Sequence, residues 1–292
     1  MNYLNTKEQV FLQIISKTLN KNSYLGDDCA FLKKEKLAIT QDTLVENVHF
    51  DLSFITPFEL GYKACIVNVS DILVSGAKPK YITVSLSGNL EEKFVEEFYK
   101  GINKACKDFK IEVIGGDLTK GEKITISICA IGSAENRKIS SRKNAKENYI
   151  VATKGFFGSS AYYLETKDEN FKEAHIKPTI FPKLLENVAK KTKKPYVAMD
   201  SSDGLIDCLM NISKQSNIGF EIEYNKIPKK IKNKDLVLYG GEDFCPVIVL
   251  HKNDFKKIKG LKAIGKTTKK MGIFIDGEDY SDKKWRGFEH FE

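Results

Sequence analysis

The 292 residues of this chain, 41% of them hydrophobic, are enough to bury a large core, and the length predicts two domains. No apolar run approaches the roughly 18 residues of a membrane span, and the first residues lack the basic and apolar regions of a signal peptide. The six cysteines are scattered without a Cys-x-x-Cys pair. They predict buried thiols in a reducing, cytoplasmic compartment rather than a zinc site or disulfides.

The formal net charge of +8 raises the possibility of nucleic-acid binding. The only arginines are Arg137, Arg142 and Arg286, whereas sequence-specific readers of nucleic acid depend on the bidentate guanidinium group. Lysine runs lack interleaved aromatic residues. The charge therefore favours a solvated lysine surface over nucleic-acid binding, and such a surface can still attract anionic small molecules.

The hydrophobic pattern predicts an α/β protein with mixed sheets. A polar segment over 133–148 suggests a boundary between domains spanning 1–135 and 136–292. Helices are predicted over 6–18, 57–76, 91–109 and 204–216, and strands over 36–40, 81–86, 112–114, 123–132, 149–153, 196–199 and 236–239.

Acidic residues recur at turns and strand ends along the chain. Asp27 and Asp28 lie in a tight turn after Gly26, where the pair is either solvated or held by cations. Asp42 is predicted to lie just past the carboxyl end of a strand, with Glu46 and His49 close behind it.

Asp71 lies in an almost wholly apolar predicted helix, on one face with Asn68 and Ser75. A buried carboxylate needs a partner, since an unpaired buried charge is very costly. The partner is either a lysine or a metal ion, and the number of other acids in the chain favours the metal.

Three further predicted strands end in glycines or acids, followed by Gly115-Gly116-Asp117, Asp200-Ser201-Ser202-Asp203 and Gly240-Gly241-Glu242. Glycine permits close approach of a ligand to the backbone, although an ordinary glycine turn or a helix cap at Asp203 explains each one alone. Arg142, in the polar segment, is either solvated or a phosphate clamp between the domains.

Together these acids offer oxygen ligands without companion His or Cys residues, which suits a hard cation such as Mg²⁺. Magnesium beside glycine-rich turns indicates polyphosphate chemistry. A Walker A loop is absent from the sequence. The pattern alone thus predicts a magnesium-dependent nucleotide enzyme outside the P-loop class.

The ordered set of motifs resembles the thiamine-monophosphate kinase family of the aminoimidazole ribonucleotide synthetase superfamily. The resemblance spans essentially the whole chain. Its motifs are Gly26–Ala30, Thr40–Phe50, Asn68–Asp71, Gly115–Asp117, Asp200–Leu205, Gly240–Phe244 and Trp285–Phe288.

This resemblance implies a two-domain aminoimidazole ribonucleotide synthetase-like fold that dimerises through its N-terminal domains. It also implies transfer of the γ-phosphoryl group of ATP to thiamine monophosphate, which needs no general base because a phosphate acceptor is already ionised. Asp71, Asp117 and Asp203 would be catalytic. By motif match, magnesium would be held by Asp28, Thr40, Asp42, Asp71, Asp117, Asp200 and Asp203, ATP by Gly116, Asp117, Arg142 and Ser202, and the thiamine substrate by His49, Glu242 and Trp285.

The sequence departs from the family pattern at Gln41 and Leu118, where a hydroxyl residue is usual. Other readings remain open at this stage: a cyclo-ligase or selenophosphate-forming enzyme of the same superfamily, a non-catalytic magnesium-nucleotide binding dimer, or a lysine-rich nucleic-acid binder. For Trp285, the alternative to a thiamine-stacking role is a tail anchored on the core.

Overall fold

The computed structural model describes residues 7–19 and 24–281. None of the helices in these ranges is long and apolar enough to cross a membrane. The helices are α1 (Lys7–Thr18), α2 (Pro57–Val74), α3 (Glu92–Phe109), α4 (Ser159–Thr166), α5 (Lys172–Ile176), α6 (Pro182–Lys191), α7 (Leu205–Ser216), α8 (Lys234–Tyr239) and α9 (Lys252–Phe255). The strands are β1 (Ala30–Leu32), β2 (Leu37–Val45), β3 (Lys78–Ser87), β4 (Glu112–Thr119), β5 (Thr125–Ser133), β6 (Ile150–Thr153), β7 (Val197–Asp200), β8 (Gly219–Ile222), β9 (Pro246–Leu250), β10 (Lys262–Thr268), β11 (Ile273–Ile275) and β12 (Glu278–Asp279).

The first five strands form one mixed sheet in the order β1-β2-β5-β3-β4. β5 is antiparallel to both of its neighbours, and only β3 and β4 run parallel. Residues of β5 alternate between buried and partly exposed positions, so one face of the sheet packs on the core. The mixed α/β fold class predicted from the sequence is confirmed.

Helix α2 runs through the interior beside this sheet. It begins with a capping box in which Thr56 and Glu59 exchange hydrogen bonds, and Pro57 occupies its first turn. Two glycines let it lie close to α3, because a Cβ on Gly61 or Gly101 would overlap a backbone carbonyl of the other helix. Helix α2 is therefore long and buried, and its few polar residues are available to form a functional site in the interior.

The second sheet has seven strands in the order β12-β11-β8-β10-β6-β9-β7. Its central strands β6 and β9 are almost entirely buried, and helix α7 contributes Leu205, Leu209 and Ile212 to the core. All strands of the first sheet come from the first half of the chain, and all strands of the second sheet come from the second half. The domain boundary between residues 135 and 136 stays a prediction.

One hydrophobic cluster crosses between the two halves. It combines residues of α2 and of the first sheet with Leu185, Tyr196 and Ile248 of the second half. The two sheets are thus joined by shared core packing as well as by the linking segment.

Three predictions about local structure are wrong. Strand β2 continues to Val45, so Asp42 lies within a strand rather than past its end. Strand β4 continues to Thr119, so Gly116 and Asp117 form no turn; a Cβ on Gly116 would overlap the carbonyl of Val84, which explains the glycine by packing. The predicted strand 236–239 lies in helix α8, which Asn233 caps by accepting hydrogen bonds from two backbone amides.

Helix α1 agrees with the predicted opening helix, although Thr6, its predicted cap, lies outside the described residues. The apolar side chains of α1, including Phe11 and Ile14, are exposed. The six cysteines are free thiols, as predicted, and Cys29, Cys65, Cys208 and Cys245 are buried.

Candidate functional site

Three carboxylates from distant parts of the sequence meet at one point. Asp28 comes from the turn before β1, Asp71 from α2 and Asp200 from the end of β7, and each offers an oxygen within 4.8 Å of the others. Asp200 is buried, and the other two are partly exposed. Helix α2 thus brings the two sheets together at an acidic cluster, which is defined here as Asp28, Asp71 and Asp200.

Hydroxyl and amide groups orient these acids. The Thr40 hydroxyl donates to Asp71 over 2.7 Å, and the Ser70 hydroxyl donates to Asp200. On the adjoining part of β2, the backbone amide of Asp42 donates to the side-chain oxygen of Asn68 over 3.1 Å. Thr40 and Asp42, both predicted metal ligands, therefore border the cluster.

Burial, together with the neighbouring carboxylates, raises the pKa values of Asp42, Asp71 and Asp200. Desolvation and the neighbouring acids Asp42, Asp200 and Asp28 raise the pKa of Asp71 well above its usual value. For Asp200, desolvation is again the main cause, followed by Asp28, and the pKa rises to about 8. The pKa of Asp42 rises to about 6 through desolvation and through the charges of Glu242, Asp203 and Asp28.

This donor set fits a hard divalent cation. Asp71 has no lysine partner among the described residues, so the alternative of a buried lysine salt bridge is not observed for it. Oxygen donors at mutual distances below 5 Å, with carboxylates that repel one another, are typical of Mg²⁺ sites.

Arg142 lies against the cluster rather than free in solvent. Its guanidinium group is 2.8 Å from Asp28, and its backbone amide donates to Asp27 over 2.6 Å. Desolvation opposes the charge on Arg142, but the attraction of Asp28 outweighs it and raises the pKa. Arg142, the predicted phosphate clamp, is therefore positioned by Asp27 and Asp28, the two aspartates of the turn after Gly26.

A cavity of about 400 Å³ has in its wall Ser202 and Asp203, which follow Asp200 of the acidic cluster closely along the chain. Its walls include four predicted site residues that are far apart in the sequence, namely His49, Ser202, Asp203 and Glu242. The charges of Asp203 and Glu242 act on Asp42, which links the cavity to the cluster. Asp203 does not cap α7, whose N-cap residue is Gly204.

Two residues that the sequence analysis missed, Lys63 and His175, lie next to Glu242 and affect its charge. The ammonium group of Lys63 on α2 lies 2.7 Å from the Glu242 carboxylate and 3.4 Å from Nε2 of His175. The other ring nitrogen of His175 lies 2.9 Å from the Ser160 hydroxyl. Desolvation works against an ionised Glu242, yet Lys63 lowers its pKa; for His175, desolvation and then Lys63 lower the pKa to about 3. The sequence did contain a signal for this ion pair, because Lys63 lies within the mostly apolar sequence of α2 and a buried lysine needs an anionic partner.

Gly116 and Asp117 are not part of this arrangement within one chain. They lie on the edge strand β4, which β3 and β5 separate from β2. Three strand spacings amount to roughly 14 Å between Asp117 and the β2 residues at the same level. Among the described residues, the structure therefore places the predicted site residues of the cluster and of the cavity in one region, and Gly116 and Asp117 lie apart from it.

The two departures from the family pattern lie on β2, next to Asp42, and on β4, next to Asp117. The side chain of Gln41 approaches the Ser127 hydroxyl at 3.5 Å, and Leu118 is 59% exposed on β4. Trp285 and its predicted stacking role lie outside the described residues.

Residues 26–134 match the family model of the AIR synthase related protein, N-terminal domain. The chain is also 32% identical to a thiamine-monophosphate kinase of Aquifex aeolicus over 95% of its own length and 96% of that protein. The chain belongs to the thiamine-monophosphate kinase family. A kinase of the same name from Haemophilus influenzae is likewise 32% identical, over 92% of this chain and 91% of its own.

A solved structure of the kinase family agrees with this assignment over the full fold. It is described as AaThiL complexed with AMPPCP and TMP, and it superposes with a TM-score of 0.86 at 30% identity, covering 98% of this chain and 97% of that one. The family and the enzyme class predicted from the sequence, a thiamine-phosphate kinase, are confirmed.

Proposed function

We propose that this protein transfers the γ-phosphoryl group of ATP directly to thiamine monophosphate in a magnesium-dependent reaction that forms thiamine diphosphate. The observation that carries the proposal is an electrostatic link between the acidic cluster and the cavity lined by His49 and Glu242. The charges of Asp203 and Glu242 in the cavity wall act on Asp42, and the charge of Asp42 acts on Asp71 of the cluster. The acidic cluster suits a cation-bound polyphosphate, and the cavity suits a small organic acceptor. The relatives are named thiamine-monophosphate kinases, and one was solved with AMPPCP and TMP.

The cavity matches the charge of the acceptor. Thiamine carries a permanently cationic thiazolium, and Lys63 keeps Glu242 ionised at the cavity wall. An anion held rigidly beside the ring attracts it more strongly than a solvated one. Glu242 and His49 would bind the thiamine part, together with Trp285 by stacking.

The chain contributes orientation rather than a general base. The acceptor phosphate is largely ionised at neutral pH, so no residue needs to remove a proton from it. Asp28, Thr40, Asp42, Asp71, Asp200 and Asp203 would hold Mg²⁺, which when bound offsets the repulsion between the two anionic phosphates. Arg142 and Ser202 would contact ATP, and Asp71 and Asp203 would lie nearest the transfer.

We further propose a homodimer formed through the first half of the chain. Strand β4 is an open edge along which every residue is exposed, including Val113, Ile114 and Leu118. Long exposed apolar edges invite pairing with another chain. Within one chain, Gly116 and Asp117 are too far across the sheet to contact a nucleotide bound at the acidic cluster. In a dimer paired along this edge, they would contact the nucleotide bound by the second copy.

The free thiols are consistent with the proposed cytoplasmic location, and small molecules rather than nucleic acid are the proposed partners.

The test is an acceptor-dependent assay. The purified protein with ATP and Mg²⁺ should release ADP rapidly when thiamine monophosphate is added, with stoichiometric thiamine diphosphate, and only slowly with thiamine or with no acceptor. ADP release that is indifferent to thiamine monophosphate, with nucleotide still bound, would instead indicate a non-catalytic nucleotide-binding protein.

A further inference from the structure

A second cavity, of about 710 Å³, opens in the second half of the chain. It shares no lining residue with the cavity of His49 and Glu242. Its volume lies within the roughly 300–1,000 Å³ of small-molecule sites. We propose that this cavity binds a phosphorylated aromatic small molecule, at a site separate from the kinase site and independent of the proposed reaction.

The walls of the cavity are strongly basic. Lys154, Lys177, Lys230 and Lys262 line it, and none of them takes part in an ion pair within the described part of the chain. Lys154 follows β6 and Lys262 begins β10, and the register pairs Lys262 with Thr153, the residue just before Lys154. Clustered ammonium groups without ion-pair partners favour an anion over a neutral ligand.

The acids in the cavity do not neutralise these lysines. Asp243 already accepts the backbone amides of Gly158 and Ser160 at the start of α4, at 2.5 and 2.9 Å. Its desolvation raises the pKa to about 7, so much of it is neutral near that pH. Glu173 is the other acid, which leaves a positive excess.

The apolar part of the wall is flat and aromatic. Phe156, 48% exposed, carries the ammonium group of Lys230 at 4.7 Å from its ring centre. Phe181 lies beside Gly155, where a Cβ would overlap the Cys245 sulfur and press on the Phe181 ring. A planar ring can stack on such walls while a phosphate meets the lysines, which is why an aromatic phosphate fits better than inorganic phosphate alone.

An unsatisfied hydroxyl supports a polar ligand. Ser159 lines the cavity, its Oγ is buried, and it has no hydrogen-bond partner among the described residues. Buried hydroxyls are normally paired. A phosphate oxygen would accept this hydrogen bond at the same end of the cavity as the N-terminus of α4.

The test uses calorimetric titration with 1-naphthyl phosphate, which has neither a nucleoside nor a thiazolium, compared with 1-naphthol and inorganic phosphate. We expect one equivalent of 1-naphthyl phosphate to bind, and both controls to bind at least about tenfold more weakly. Titration with AMP and with thiamine diphosphate, each in competition with 1-naphthyl phosphate, then distinguishes a nucleotide from a thiamine ester as the natural source.

The site is located by variants. Lys154→Glu/Lys262→Glu should weaken 1-naphthyl phosphate binding at least about tenfold, whereas Lys107→Glu/Lys191→Glu, with the same change of net charge on exposed lysines, should not. Phe156→Ala, at an exposed position, should weaken 1-naphthyl phosphate but leave inorganic phosphate unchanged. Absence of binding to the unaltered protein, equal losses in both lysine pairs, or equally tight binding of inorganic phosphate would overturn the proposal. Kinase activity is measured separately, so its failure leaves this result intact.

Discussion

The ammonium group of Lys63, fully buried in α2, lies 2.7 Å from the carboxylate of Glu242, 179 positions later in the chain. Glu242 adopts a left-handed backbone conformation, with φ of 64°, that non-glycine residues seldom occupy. An ion pair between the two halves therefore holds a strained residue at the wall of the candidate substrate cavity. Lys63 acts as a positioning residue for Glu242.

Replacing Lys63 with methionine should remove this support with little change in volume. We expect a loss of about 3–5 kcal/mol in the free energy of unfolding, because Glu242 keeps its buried position without a partner. The KM for thiamine monophosphate should rise more than kcat falls. Denaturant melts and steady-state kinetics measure the two effects.

Lys100→Met is the matched control, since Lys100 pairs with Glu96 and Glu97 on the exposed surface of α3. Its cost should be small, as for other surface ion pairs that solvent screens. The double variant Lys63→Met/Glu242→Gln should recover part of the lost stability. Equal costs for Lys63→Met and Lys100→Met would contradict the positioning role.

Asp71→Asn should abolish kinase activity while the metal-free fold becomes more stable. The substitution removes from the acidic cluster a carboxyl group whose ionisation is opposed by burial and by the neighbouring carboxylates. Thermal melts in EDTA should show a higher Tm than for the unaltered protein, and added Mg²⁺-ATP should shift that Tm less. Glu122→Gln, at an exposed position, is the control; a lower Tm for Asp71→Asn in EDTA would argue for a structural rather than a metal-binding carboxylate.

The stability of the metal-free protein should fall as the pH rises from about 6.5 to 8. The folded pKa of Asp200, about 8, lies above the roughly 3.9 of an unfolded aspartate, so in this window the folded chain holds a proton that the unfolded chain has released. His175, with a folded pKa of about 3, opposes this trend only below its unfolded value of roughly 6.5.

Denaturant melts across pH in EDTA measure this slope. Saturating Mg²⁺ should flatten it, because a bound cation favours the ionised carboxylates. His175→Gln should leave the slope above pH 6.5 unchanged and steepen the fall with pH below it. A metal-free protein whose stability rises between pH 6.5 and 8 would show that the cluster does not hold protons.

Strand β4 gives a separate prediction about assembly. Light scattering at micromolar concentration should give the mass of two chains, and Ile114→Lys, which places a charge on the exposed edge, should shift it toward one chain. Leu52→Lys, at another exposed apolar position, should leave the mass unchanged. A mass of one chain for the unaltered protein would refute the proposed dimer.

The sequence predicted long elements well and short ones less well. Helices α2, α3 and α7 were recognisable because their apolar spacing extends over several turns. The four apolar residues of 236–239 fit a strand or a helix equally, and the cap at Asn233 decided for the helix. The glycines before Asp117 indicated a turn, whereas Gly116 is explained by the close approach of β3.

The sequence motifs identified the acidic residues of the candidate site, but they did not show which of these residues lie close together in the folded chain. Asp28, Asp71 and Asp200 meet only through the packing of α2 between the sheets, which no local pattern encodes. The same holds for Lys63, whose partners His175 and Glu242 lie more than 100 positions away along the chain. The separation of Asp117 follows from the strand order, which sequence periodicity does not specify.

The hydrophobic cluster shared by the two halves affects how the molecule unfolds. Because Leu185, Tyr196 and Ile248 pack with residues of α2 and the first sheet, neither half can lose its structure without exposing apolar surface of the other. Calorimetry should therefore record one cooperative transition instead of two, and a fragment ending near residue 135 should be prone to aggregate. Such coupling would also oppose hinge opening between the sheets, so substrates would enter a cleft that is already assembled.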